Sequence, residues 1–514
     1  MVMIVLALGA GAAAALAHQP FGLLPGLLGY AVMMALAERM PSVRGAALVG
    51  WLAGFAYFLI SAWWVAEAFL VNPDAHAWMA PFAASLLPAV LALFWAGALG
   101  LYHRFGRIGL FRPLTFAAWF VIFEWLRGTV LTGFPWNPLG ASWPAGSAVS
   151  QFAAHVGVYG LSFVTLLAIC TLVPLFDRRS SAVGIKRRLG VAVAGAVLMV
   201  SVWLLGTLRL DAASVALADT TVRIVQADVQ QEAKWDEENY RAIVQRYVNL
   251  NARPGAITPD IIVWPEGALP RVANDVFADG SGEAIARSLA EGQILLAGLS
   301  RADIKPGAGG EPQITYYNSL YALQGLGSDR GMQIAGVYDK HRLVPFGEFL
   351  PLGTLMTRTG LRSLTHMPAD FTPGPRPQPL TLPGGVSIQP LICYEGLYPA
   401  LPTGGRPDFI VNVSNDAWFG RSTGPRQHLN LAAYRAIEQG LAMVRATPTG
   451  VSAIIDPYGR IPAGQRMNPG ESGVIDARVP QALEPTLFSR TGSWPLLVLL
   501  LVMLPIFRRK RTFR

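Results

Sequence analysis

Hydrophobic positions are unevenly spread along this chain. They run almost unbroken over 2–17, 23–38, 46–66, 80–102, 113–131, 156–176 and 189–208, and once more over 494–507. A bilayer's hydrocarbon core takes about 17–25 helical residues to cross, so the pattern predicts eight membrane spans, the first and last the shortest. Between 209 and 493 the pattern changes to short β-rich runs, helical periods and Gly/Pro turns. Strands are predicted at 222–229, 261–265, 293–299, 315–323, 334–340, 386–393, 409–415 and 451–456, and helices at 236–252, 282–291 and 425–446. Strands interleaved with helices predict an α/β layered domain, and about 270 residues suffice for one substantial core. The expected division is a seven-span all-α membrane bundle over 1–208, an α/β domain over 209–493, and an eighth span with a basic tail over 494–514.

Composition sharpens this picture. The chain is 52% hydrophobic and only 14% charged, against roughly 25% charged in soluble domains. Ala15-Leu16-Ala17 ahead of His18 resembles a signal-peptidase site, yet no Lys or Arg precedes the first run and further spans follow at once, so it reads as a retained helix. Basic residues gather in alternate links: Arg39 and Arg44; Arg104, Arg107 and Arg112; Arg178, Arg179, Lys186, Arg187 and Arg188; and the tail from Arg508. The links 18–22, 67–79 and 132–155 hold no Lys or Arg. Short basic loops stay in the cytoplasm, which places both termini inside and 209–493 on the outer face. Much of the net charge of +9 is therefore topological. No zinc spacing, helix-turn-helix or basic-aromatic interleaving accompanies it, and nucleic-acid binding is excluded. Within the spans, Glu124 and Arg127 are spaced to pair across i,i+3. The stiff Phe134-Pro135-Trp136-Asn137-Pro138 link reads as an anchor at headgroup level, and Cys170 as core packing.

Three outer-domain strands end in reactive residues. The run 261–265 ends at Glu266, 334–339 at Lys340 and 386–392 at Cys393, the domain's only cysteine. Strand ends are rigid mounts at a sheet's rim. A carboxylate, an ammonium and a thiol brought together there form a nucleophilic set: the carboxylate takes the thiol proton, the sulfur attacks a carbonyl, and the ammonium steadies thiolate and oxyanion. His341 is a tempting metal ligand, but no metal-spaced His/Cys cluster surrounds it, so neither metal nor organic cofactor is expected.

Trp264-Pro265-Glu266, the run from Tyr338 through Lys340 to Glu348, Cys393-Tyr394-Glu395 and Ser414-Asn415-Asp416-Ala417-Trp418-Phe419-Gly420 together resemble the nitrilase (carbon–nitrogen hydrolase) superfamily. With eight spans, the likeness is to its membrane-embedded lipoprotein-acylating members and covers nearly the whole chain. The resemblance implies a four-layer α-β-β-α sandwich on an eight-helix transmembrane bundle in a bacterial inner membrane, with the catalytic domain in the periplasm. It implies transfer of an acyl chain from a phospholipid, commonly phosphatidylethanolamine, through a cysteine thioester to the N-terminal amine of a diacylated apolipoprotein. Carried over by motif, Glu266 is the general base, Lys340 the electrostatic support and Cys393 the nucleophile. Glu348 is a supporting carboxylate, the Tyr394 N–H helps form the oxyanion hole, and Glu395 orients its neighbours.

The loop over 346–364 carries more Leu, Phe and Met than a solvated loop should, and reads as an arm gripping acyl chains, Leu352 and Leu355 foremost. Trp235 and Trp418 are expected to cover the site. A monomer is the default. Two alternatives stand beside the transferase: a membrane-tethered amidase passing the acyl group to water, which a single span would serve, and a non-catalytic lipid-binding scaffold, which would not need Glu266, Lys340 and Cys393 intact.

Overall fold

The computed structural model describes residues 1–106, 109–176, 184–234, 237–306, 311–327, 329–351, 353, 369–400 and 404–506. Contacts divide the chain into two compact units that do not follow the contiguous division expected from sequence. One comprises Met1–Ala213, Ser422–Gly440 and Pro485–Arg514, the other Ser214–Arg421 and Leu441–Glu484.

The first unit is helical. Each apolar run carries a helix: Val2–Leu16, Leu28–Arg39, Val43–Ser61, Ala80–Phe105, Arg112–Arg127, Ala153–Cys170, Ile185–Asp211 and Trp494–Ile506. Among the described residues four segments are long and apolar enough to cross a membrane, namely Val43–Ser61, Ala77–Phe105, Val149–Phe176 and Ile185–Asp211, while Val2–Leu16 and Trp494–Met503 are apolar but shorter. Small residues let these backbones touch: a Cβ on Gly11 would lie 1.9 Å from the Ala53 carbonyl oxygen. Cys170 is fully buried.

Two expectations are corrected here. Among the described contacts, Glu124 and Arg127 turn to the 134–139 link rather than to each other. Arg127 donates to the carbonyls of Phe134 (2.6 Å) and Trp136 (2.8 Å), and Glu124 accepts the Leu139 N–H at 2.7 Å. An irregular link inside an apolar bundle has backbone groups that need partners, and buried side chains supply them. For the same reason Trp136 is no headgroup anchor: it is 2% exposed and donates to Gln427 Oε1 at 2.7 Å.

Gln427 belongs to the helix Gly424–Gln439, all of whose sixteen residues except Arg426 are buried. Its polar side chains meet the same stretch of the helical unit. Asn430 accepts from the Ala145 N–H (2.8 Å) and donates to the Ala141 carbonyl (2.9 Å), and the Tyr434 hydroxyl lies 2.7 Å from the Trp143 carbonyl. Gly157, at φ 68°, interrupts the helix Ala153–Cys170, and Glu438 caps the Val158 N–H beyond the break at 2.8 Å.

Among the described residues the second unit holds twelve strands in two six-stranded sheets. The first contains β1 (Leu217–Gln226), β2 (Ile261–Val263), β3 (Ile294–Pro306), β4 (Pro312–Gly325) and β5 (Met332–Asp339). The second contains β6 (Leu380–Thr381), β7 (Ser387–Ile392), β8 (Phe409–Val413), β9 (Ala442–Ala446), β10 (Ser452–Ile455) and β11 (Arg466–Met467). Strand β12 (Gly473–Pro480) returns to the first sheet, giving orders β12-β1-β2-β3-β4-β5 and β11-β10-β9-β8-β7-β6. Both are mixed: β1, β2 and β3 run parallel, as do β7, β8 and β9, with antiparallel edges. Alternate residues from each sheet, such as Ile224, Val263 and Leu296 against Ile392, Val411 and Val444, form one core between them. The first sheet's other face packs on the helix Tyr240–Asn251 through Tyr240, Ile243 and Tyr247.

The helix expected over 425–446 ends at Gln439. Gly440 adopts the left-handed conformation at φ 64°, a helix stop that glycine takes without a Cβ clash, and residues 442–446 become β9.

Candidate active site

Glu266, Lys340 and Cys393 each follow a strand of the second unit. Glu266 stands three residues beyond β2, where Gly298 on β3 makes room: a Cβ there would lie 2.6 Å from the Glu266 Cα. Lys340 follows β5 and is 1% exposed, and its Nζ reaches Glu266 Oε1 at 3.2 Å and Glu348 Oε1 at 2.9 Å. The residue before it is pinned, since Arg301 donates twice to Asp339 at 2.8 and 2.6 Å. Glu348 also accepts the Val344 N–H at 2.8 Å.

Asn318 on β4 ties both carboxylates together, its Nδ2 lying 2.7 Å from Glu266 Oε1 and from Glu348 Oε1. The sequence reading missed it, because one polar residue in an apolar run looks like ordinary strand alternation. The second oxygen of Glu266 accepts the Asn415 N–H at 2.7 Å. Burial works against a charge on Lys340, but Glu266, Glu348 and the Cys393 side chain outweigh it and hold the ammonium above the ordinary lysine range.

Cys393 leaves β7 with φ +47°, a left-handed conformation that a non-glycine residue adopts only under constraint. The constraint is Glu395, 4% exposed. It accepts the Ile392 N–H at 2.8 Å, the His341 N–H at 2.9 Å and the Tyr338 hydroxyl at 2.9 Å, so one carboxylate joins the cysteine turn to the segment after Lys340. Burial raises the Glu395 pKa against the pull of the Ile392 N–H and Lys340. Burial, then the Glu266 charge, pushes the Cys393 thiol up to about 12, with Lys340 and a Ser414 hydrogen bond pulling the other way. A thiol held so high would need a base to take its proton before the sulfur could serve as a nucleophile.

Tyr394 is buried with its ring edge-on to Tyr398, and Trp418 is half-buried on the turn Asp416–Phe419. Trp235, Leu352 and Leu355 lie outside the described residues. His341 Nδ1 lies 2.8 Å from the Gly374 carbonyl. Among the described residues no three His, Cys, Asp or Glu are grouped to hold a metal ion. A second lysine went unpredicted: Lys234, 4% exposed, donates to the Gly267 carbonyl, and burial, partly offset by Glu266, lowers its pKa to about 8.

Two family models match the chain: the apolipoprotein N-acyltransferase N-terminal domain over residues 10–171, and carbon-nitrogen hydrolase over residues 221–486. The apolipoprotein N-acyltransferase of Caulobacter vibrioides is 49% identical over 97% of this chain and 92% of its own length. That of Rhodopseudomonas palustris is 38% identical over 99% of this chain and 95% of its own. Among solved structures, an amidase of the nitrilase superfamily from Nesterenkonia AN1 aligns with 52% of this chain and 92% of its own at a TM-score of 0.35 and 16% identity.

Proposed function

Because the chain belongs to the apolipoprotein N-acyltransferase family, we propose that it transfers an acyl chain from a membrane phospholipid to a lipoprotein through a thioester on Cys393. The donor we propose is phosphatidylethanolamine, cleaved at sn-1, and the acceptor is the N-terminal α-amine of a diacylglyceryl-cysteine. The observation that carries this reading is the buried Glu266–Lys340–Glu348 cluster together with the cysteine turned out of β7.

In the first half-reaction Glu266 takes the Cys393 proton while the sulfur attacks the ester carbonyl. Lys340 and the Tyr394 N–H stabilise the oxyanion, and Glu266 returns the proton to the departing glycerol oxygen, leaving a thioester and a lysophospholipid. In the second, the amine attacks the thioester. Glu266 takes an amine proton and passes it to the leaving sulfur, which yields an amide and the thiol. Glu348 holds Lys340 in place, and Glu395 holds the cysteine turn.

The finer architecture belongs to the same proposal: a four-layer α-β-β-α sandwich on an eight-helix transmembrane bundle, in an inner membrane, with the catalytic unit periplasmic, both termini cytoplasmic and the chain a monomer. Trp235, Trp418, Leu352 and Leu355 would cover the site and grip acyl chains. Changing Leu352 and Leu355 to Ser should raise the lipid KM with the fold intact, and an unchanged KM would remove them from that role.

Intact-protein mass spectrometry after incubation with phosphatidylethanolamine alone tests the core of the reading. One added acyl chain, released by neutral hydroxylamine and absent in Cys393→Ser, is the expected result. A diacylated lipopeptide should then receive that chain on its amine. Loss of the chain to water alone would favour a hydrolase, and no adduct with any phospholipid would overturn the reading.

A further inference from the structure

A second set of buried polar groups approaches the same sulfur from behind. Asp416 and Arg445 pair at 2.9 Å with both side chains fully buried. Asp416 also lies 3.0 Å from the Ser414 hydroxyl, which donates to it, and Ser414 in turn hydrogen-bonds the Cys393 thiol. Arg445 donates to Asn412 as well, and Asn412 donates to the Leu391 carbonyl at 3.0 Å.

These residues lie in one row across the sheet, where Leu391 on β7 is opposite Asn412 on β8, and Asn412 opposite Arg445 on β9. Because Val411, Val413 and Val444 face the inter-sheet core, strand alternation turns Asn412 and Arg445 to the other side. Gly450 admits Asp416 closely, since a Cβ there would lie 2.5 Å from the Asp416 Cβ.

A buried ion pair is a poor way to gain stability, because desolvation opposes its Coulomb attraction. Its place here calls for a different account, and the hydroxyl supplies one. A serine has one proton to donate, while Ser414 has two acceptors in reach, the Asp416 carboxylate and the Cys393 sulfur.

We propose that Ser414, held by the Asp416–Arg445 pair, is a positioning residue for the Cys393 sulfur, its single proton turning from Asp416 to the sulfur whenever the sulfur becomes a thiolate. In the resting enzyme the S–H donates to Ser414 Oγ, and Ser414 donates to Asp416. The S–H then swings to Glu266, and as Glu266 takes its proton the hydroxyl turns and donates to S⁻. Once the thioester forms it returns to Asp416, and it turns again when the amine expels the sulfur. No proton leaves Ser414 at any stage.

Arg445 has a defined part in this. Among the charged groups facing the sulfur are Glu266 from beyond β2, Lys340 from beyond β5 and Asp416 from beyond β8. An unpaired Asp416 would repel the thiolate. Paired with Arg445, it holds the hydroxyl without adding a net charge.

The inference rests on Cys393 as nucleophile, and its test separates the two ideas. In the full-length protein in lipid nanodiscs, the Cys393 S–H stretching band is obtained by infrared difference against Cys393→Ser. In Ser414→Ala that band should move to the higher wavenumber of an unbonded thiol. Single-turnover thioester formation with phosphatidylethanolamine should fall about tenfold, the equivalent of one pKa unit at the sulfur, with the lipid KM unchanged. Ser414→Thr should restore both.

An unmoved band, a wild-type acylation rate in Ser414→Ala, or a Ser414→Thr as slow as Ser414→Ala would each overturn the proposal. If Ser414→Ala does not fold, the wild-type band decides alone, because a position matching an unbonded thiol excludes the hydrogen bond. If the wild type forms no thioester, the catalytic reading fails while the band still judges the contact.

Discussion

Two buried ion clusters border Cys393, and they differ in what they bring to the sulfur. Beside the first sheet, Glu266 and Glu348 both contact Lys340, and the Lys234 amine acts on Glu266 as well. Behind the second sheet, Asp416 pairs with Arg445 and accepts from Ser414. In the first cluster two charges, Glu266 and Lys340, act on the sulfur in opposite senses; in the second a hydroxyl stands between the ion pair and the sulfur. The same sulfur thus meets bare charges on one side and a hydroxyl brace on the other.

The largest effect should come from removing the Glu266 charge. Glu266→Gln should lower thioester formation by about 10²–10⁴-fold, the usual range for a lost acid–base group, while lipid binding persists in a spin-label or fluorescence assay. A normal acylation rate would take the base role away from Glu266. Next comes the brace. Asp416→Ala strands a buried guanidinium and should cost about 3–5 kcal/mol in denaturant unfolding, whereas Asp416→Leu with Arg445→Met should recover most of that loss. A double variant as unstable as the single would show that the two charges do not act as a pair.

Lys234 offers a smaller, pH-dependent test of the first cluster. Its folded pKa of about 8 lies below the ordinary 10.5, so between those values the unfolded chain holds a proton that the folded chain has released. Stability from this residue therefore rises with pH across 8 to 10.5, and the penalty is complete below about 8. Lys234→Met should be the more stable protein at pH 7, by roughly 3 kcal/mol as an upper bound, with the gap closing toward pH 10.5. A gap independent of pH would mean that the amine does not titrate there. Smallest, Asn318→Ala removes the donor shared by Glu266 and Glu348 and should cost about 1 kcal/mol, read as a lowered Tm together with slower acylation.

The two clusters were not equally legible in the sequence. Glu266, Lys340 and Cys393 each stand where an apolar run breaks off, so strand pattern and chemistry point to the same positions. Asn318 and Asn412 sit inside strands, where a polar residue reads as alternation. Arg445 was assigned to a helix, because 425–446 looks like one continuous helix unless Gly440 is taken as its stop. The apolar runs announced the helical segments. What they could not announce was that Trp136 would bond Gln427, Ala145 Asn430 and Val158 Glu438, each across 280 residues of sequence or more, since such pairs leave no periodic trace.

The helix Gly424–Gln439 carries one more consequence, and it concerns time. It completes the helical unit, yet it is translated some two hundred residues after Ala213. Until then the indole N–H of Trp136, the Ala145 N–H and the Val158 N–H lack the partners they meet in the finished protein. The nascent helices therefore enter the membrane with a polar seam still open. Assembly of this unit therefore includes an interval in which water has to satisfy that seam, until the helix Gly424–Gln439 has left the ribosome.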